Sequence, residues 1–128
     1  MAETEKITIN LSVVDLGQID LLVDQGFYSS RSDLIRTAVR NQLSTHAQVV
    51  DEAIVRMQMA LGIVVFTRKG LEARRAAGEQ LDVKVVGMVS IANDVPPELA
   101  RHTIRSLCVH GVLRASPEVK DALADRMQ

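Results

Sequence analysis

The sequence predicts an α+β protein built of two unequal parts, and three observations carry that reading. The stretch "TEKITINLS" alternates Ile7, Ile9 and Leu11 with Lys6, Thr8 and Asn10, which is the period-two pattern of a half-buried strand. Apolar residues then recur at helical spacing as far as Leu61. Beyond that point β-rich segments alternate with polar ones, as in a small α/β module.

A chain of 128 residues accommodates one domain, or two small ones that support each other or another copy. With one Tyr, two Phe and no Trp, the core must come from Val, Leu, Ile, Ala and Met. The single cysteine, Cys108, excludes an internal disulfide framework, and the opening "MAETEK" lacks the basic-then-apolar order of a secretory signal. No apolar run approaches the roughly 20 residues needed to span a bilayer. The expectation is a cytoplasmic protein with no membrane association. Net charge is −1, and the portion through His46 carries four basic and six acidic residues against eleven and ten in the remainder. Neither part is a basic domain, so any nucleic-acid binding has to rest on a few locally placed cations and backbone donors.

After Ser12 stops the strand, that residue also stands where a helix N-cap belongs, with Asp15 three positions on. Leu16, Ile19, Leu22 and Val23 share one helical face, Gly17 weakens the helix, and Gly26 sits where a left-handed cap would end it, so residues 13–25 are expected to be helical. The stretch "YSSRSDLIRTAVRNQL" repeats the plan, with Ser29 or Ser30 as cap and Asp33 near the third position. Leu34, Ile35, Ala38, Val39 and Leu43 form its apolar stripe and Arg31, Arg36 and Arg40 lie outside it. This second helix is expected over about residues 30–44. Helical spacing continues through Val49, Val50, Ala53, Ile54, Met57 and Leu61, so the helix either bends near Ser44–Gln48 or runs through.

The second half offers "LGIVVF", "LDVKVVGMVSIA" and "TIRSLCVHGVLRA" as strands, a helical "TRKGLEARRAAGEQ" and a turn-forming "NDVPPELARH". The row Val83, Val85, Gly87, Val89, Ile91 matches the row Leu107, Val109, Gly111, Leu113, Ala115 at an offset of 24, and Gly62 begins a fainter third copy 25 residues before Gly87. The spacing points to an internal repeat of strand plus crossover, with glycines that mark bulges or close backbone approach. "SPEVKDALADRM" closes the chain as a helix capped by Ser116 with Pro117 in its first turn. The expected division is 1–46, a connecting helix 47–60, and 61–128.

A strand of about six residues with no hairpin partner leaves its backbone groups unsatisfied. The simplest completion is the same strand of a second chain, antiparallel about a two-fold axis. Alternate side chains on such a ribbon stand roughly 6.8 Å apart, so Lys6, Thr8 and Asn10 span a distance close to the roughly 12 Å width of the DNA major groove. Asn pairs with adenine, Lys donates to guanine, and Thr bonds a base edge or touches a thymine methyl. The start of the next helix, Ser30, Arg31 and Ser32, offers free N–H groups, hydroxyls and a guanidinium to a phosphate.

These residues carry a resemblance. "KITINLSVVDLGQIDLLVDQGFYSSRSDLIRTAVRNQL", residues 6–43, resembles a ribbon-helix-helix DNA-binding domain of the CopG/Arc/MetJ type. The resemblance implies an intermolecular two-stranded antiparallel ribbon plus helices, followed here by the small α/β module. It implies Lys6, Thr8 and Asn10 as base readers and Ser30, Arg31 and Ser32 as backbone anchors, with Ser29 as a further contact or only a cap. The acidic first helix is expected on the far side of the dimer core, where salt screens its repulsion of DNA.

The second half then reads as an effector or assembly module. His102, Cys108 and His110 are the candidate metal ligands, with Cys108 and His110 on one face of a strand. Their order departs from that of the nickel-responsive regulators, which are similar in length and plan, and His46 lies far from them in sequence. The expectation is therefore no metal and no cofactor. No catalytic motif is present, so an enzyme is not expected. The function expected is that of a bacterial DNA-binding transcriptional regulator, a repressor, whose partners are double-stranded DNA and further copies of itself as homodimer or higher oligomer. Alternatives are an antitoxin engaging a protein partner through residues 61–128, a metal-responsive regulator and, from another class, a structural assembly protein that uses its β-repeat.

Overall fold

A computed structural model describes residues 3–128. The chain divides into two compact units, Met1–Asp51 and Glu52–Gln128.

In the first unit, residues 3–11 are neither helix nor strand. Helix α1 spans Val13–Asp24 and begins where Ser12 Oγ accepts from the Asp15 amide at 3.1 Å. Its end is a Schellman turn: the Phe27 N–H donates to Leu22 and the Gly26 N–H to Val23, with Gly26 at φ +85°. Helix α2 spans Arg31–Thr45 and is capped by Ser30. The helical spacing does not run through: His46 turns the chain, and α3 starts afresh over Ala47–Arg56. No residue of α1, α2 or α3 is buried. Leu16, Ile19, Val23, Leu34 and Ile35 are half-buried, but Ala38, Val39 and Leu43, expected in the buried stripe of α2, are exposed. Two short helices in one chain cover only the near part of each other's apolar face.

The second unit is a three-stranded parallel sheet in the order β1 (Ala60–Phe66), β2 (Leu81–Ile91), β3 (Ile104–Arg114). Helices α4 (Arg68–Ala76) and α5 (Pro97–Thr103) are the crossovers and α6 (Pro117–Leu123) follows β3. The offset seen in the sequence is the register itself: Val83 pairs with Leu107, Val85 with Val109, Gly87 with Gly111, and Gly62 with Gly87. Val83, Val85, Val89, Ile91, Ile104 and Leu107 pack with Leu71, Leu99, Ala100, Val119 and Leu123 of the three helices. Thr103, buried among them, donates its hydroxyl to the Leu99 carbonyl at 2.8 Å. The stretch taken as a turn, "NDVPPELARH", is largely helix α5: Pro97 presets its first turn, and Leu99, Ala100 and Thr103 hold it by burial. The last helix forms as expected, with Ser116 Oγ accepting from the Val119 amide.

Parallel sheets are ordinarily covered on both faces. Here α4, α5 and α6 cover one, and on the other β1 presents Leu61, Ile63 and Val65 at 70, 53 and 60 % exposure.

Candidate nucleic-acid interface

Lys6, Thr8 and Asn10 are exposed, and so are the residues between them: Ile7 is 79 % and Ile9 58 % exposed. The strand expected here has no ladder in the single chain, because a strand exists only with a neighbour to bond to. What the chain does hold is a segment of alternating polar and apolar side chains leading directly into the Ser12 cap.

The α2 start is built by a reciprocal cap. Ser30 Oγ accepts from the Asp33 amide at 3.0 Å, and Asp33 Oδ2 accepts from the Ser29 amide at 3.0 Å and the Ser29 hydroxyl at 3.2 Å. This variant of the capping box reaches one residue further back than usual. It engages both donors of Ser29 and leaves the first-turn amides of Arg31 and Ser32 without an intrahelical acceptor, as at any helix start. Ser32 is exposed.

Arg31 is not simply a solvated cation. Its Nε donates to Asp20 Oδ1 at 2.7 Å and its Nη2 to Asp20 Oδ2 at 2.8 Å. The hydrogen bonds from Arg31, reinforced by its charge, hold the Asp20 carboxyl below its ordinary range, and Asp20 in turn raises the guanidinium. Asp20, on the acidic helix α1, thus stands against the first residue of α2. The tight turn at Gly26 folds α2 back so that its first residue meets the second half of α1. Asp20 is the residue of the candidate site that sequence reading missed, and its only signal was an acidic residue six positions before a glycine cap. Arg36 and Arg40 are exposed on α2.

Of the three metal candidates, the structure brings two within reach of each other, without a third ligand. Cys108 Sγ and His110 Nδ1 lie 3.8 Å apart on β3. His102, on α5, lines a hollow of about 320 Å³ with Gln80, Glu98, Arg101 and Arg126. His46 meets Gln42 at 3.2 Å in the turn after α2. Among the described residues no three His, Cys, Asp or Glu side chains converge as a metal site would require, and no helix is long and apolar enough to cross a membrane.

The sequence model of a family described as the Ribbon-Helix-Helix transcriptional regulator family matches residues 2–120. No curated protein and no solved structure matches the chain.

Proposed function

The chain belongs to the Ribbon-Helix-Helix transcriptional regulator family, and on that premise we propose that it is a cytoplasmic, sequence-specific repressor that inserts a dimeric β-ribbon into the major groove. The observation that carries this reading is a first unit with no buried residue among those described: Ile7, Ile9 and Leu11 stand exposed, as do the outer apolar positions of the helices, Val39 and Leu43 among them. Those side chains are the core that a second copy completes. Pairing residues 6–11 of two chains antiparallel satisfies the backbone and buries the apolar edge on the helices. Lys6, Thr8 and Asn10 of both chains then line the outer face as base readers. The α2 starts hold the flanking phosphates through the amides of Arg31 and Ser32, the Arg31 guanidinium and the hydroxyls of Ser30 and Ser32. Ser29, already bonded to Asp33, contributes chiefly as part of the cap.

Such a regulator needs no catalytic step and no cofactor. A selection of bound fragments from genomic DNA, followed by binding at several salt concentrations, tests the reading. A repressor enriches one palindromic site and loses roughly 0.9 log units of affinity per log unit of salt for each phosphate it neutralises. Equal recovery of all fragments, or binding indifferent to salt, overturns it.

The second unit supports a complementary role in assembly. The outward face of β1, with Leu61, Ile63 and Val65 exposed, is an apolar surface of the kind that associates. Copies joined there would bind multiple half-sites with avidity.

A further inference from the structure

We propose that Asp20 is a positioning residue for DNA binding, which orders the Arg31 guanidinium for a phosphate before DNA arrives. The inference rests on the reading that Arg31 contacts the DNA backbone, and it adds a residue on α1 that does not itself touch DNA. A guanidinium has five N–H donors arranged as two forks that can each take a bidentate acceptor. Asp20 takes the fork formed by Nε and Nη2, at 2.7 and 2.8 Å. The end-on fork, formed by Nη1 and the second Nη2 hydrogen, has no acceptor among the described residues. A phosphate oxygen pair fits that fork. Asp20 and Arg31 are thus two thirds of a carboxylate–guanidinium–phosphate chain.

Two effects of opposite sign meet at Asp20. Its negative charge repels a nearby phosphate, and for charges on the order of 7 Å apart in water Coulomb's law makes that repulsion cost about two- to threefold in affinity. Its hold on Arg31 acts the other way. Arginine carries large rotamer freedom, and ordering the side chain in advance is worth roughly a factor of ten in affinity. Both residues are about half exposed, with side chains 55 % and 49 % accessible, so the pair adds little to folding and its removal leaves the helices in place. The sign of the effect on DNA binding therefore separates the two roles.

The experiment measures binding of the full-length protein to a labelled mixed-sequence duplex of about 25 base pairs, long enough for several phosphate contacts, over a series of salt concentrations. Four chains are compared: the unmodified protein, Asp20→Asn, Arg31→Ala and the double variant. The proposal expects Asp20→Asn to weaken binding about three- to fivefold although it removes a negative charge. It expects Arg31→Ala to weaken binding and lower the salt slope by about one. In the Arg31→Ala background Asp20→Asn is expected to do nothing or to strengthen binding slightly, since only the charge effect remains. Stronger or unchanged binding by Asp20→Asn in the unmodified background overturns the proposal and makes Asp20 a repelling or indifferent neighbour. Equal weakening in both backgrounds overturns it too, because the effect then passes through something other than Arg31. If Arg31→Ala leaves affinity and slope unchanged, the phosphate-contact reading itself fails, a result separable from the other two.

Discussion

The carbonyl oxygen of Gly62 in β1 fills the space that a side chain on Gly87 in β2 would need, and the carbonyl of Gly87 does the same to Gly111 in β3. All three glycines share a register line across the sheet and a φ near +130° (133°, 133° and 130°), which L side chains rarely adopt. Two costs follow for a substitution at Gly87 or Gly111, backbone strain and collision with a neighbouring strand, whereas Gly62 at the sheet edge incurs only the first because nothing lies within 4 Å of its added Cβ. Gly87→Ala and Gly111→Ala are expected to lose about 3 kcal/mol or more, and Gly62→Ala about 1–2 kcal/mol. Urea unfolding of the three variants checks the order, and equal losses would show that the carbonyl contacts are immaterial.

Acid should act on the sheet through Asp82. The Arg105 guanidinium, which donates to it through Nε at 3.0 Å and also through Nη2, and then the Ser106 hydroxyl at 2.7 Å, hold its carboxyl down at about 2, from an ordinary value of 3.8. A carboxyl depressed on folding contributes stability that is complete above its unfolded value and is lost as pH falls through its folded value. The melting temperature of Asp82→Asn should therefore lie below that of the parent at neutral pH. The gap should narrow from about pH 4 downward, as pH falls toward the folded value of about 2, and close only below it, where the parent carboxyl is also uncharged. A gap that stays constant through that range would mean the contact is steric and not ionic.

What could be read from the sequence was local or periodic. The caps at Ser12, Ser30 and Ser116, each followed three residues later by the amide it accepts from, are short-range chemistry, and the glycine-centred rows are a repeat that the sheet turns into register. The helix α5 was hidden because two prolines in succession resemble a turn and the helix has no side-chain cap. Tertiary burial of Leu99 and Ala100 decides its conformation. The candidate interface divides in the same way: Lys6, Thr8 and Asn10 are marked by alternation, but the Asp20–Arg31 pair joins residues eleven apart through a turn, and no pattern of period two or 3.6 encodes such a contact. The exposed outward row of β1 was likewise beyond sequence reading, since a strand buried on one face and a strand buried on two differ by what lies outside it.

For the proposed ribbon, the two kinds of DNA contact predict different signatures. If Asn10 reads bases, Asn10→Ala is expected to cost about 1–3 kcal/mol on the preferred site and little on mixed sequence. If Arg31 holds a phosphate, Arg31→Ala is expected to weaken all duplexes alike. Fluorescence anisotropy on both duplex types measures the ratio. If Asn10→Ala leaves the preference for the selected site intact, the polar edge of residues 6–10 does not read bases.

The assembly role of the second unit is tested at Ile63. Its side chain is 53 % exposed in the single chain and lies on the strand face away from α4, α5 and α6, so a lysine there changes the folded monomer by no more than about 0.5 kcal/mol. At a contact between copies the same lysine would be buried without a partner, which costs several kcal/mol per site. Ile63→Lys is therefore expected to keep the melting temperature of the unassembled protein while sedimentation velocity shows the higher oligomer reduced to a dimer held by the first unit. Because β1 carries no charged residue over Ala60–Phe66, nothing in the unmodified strand opposes edge or face contact with another copy. Should the unmodified protein sediment as a dimer at every concentration, and Ile63→Lys with it, the exposed face has no part in assembly.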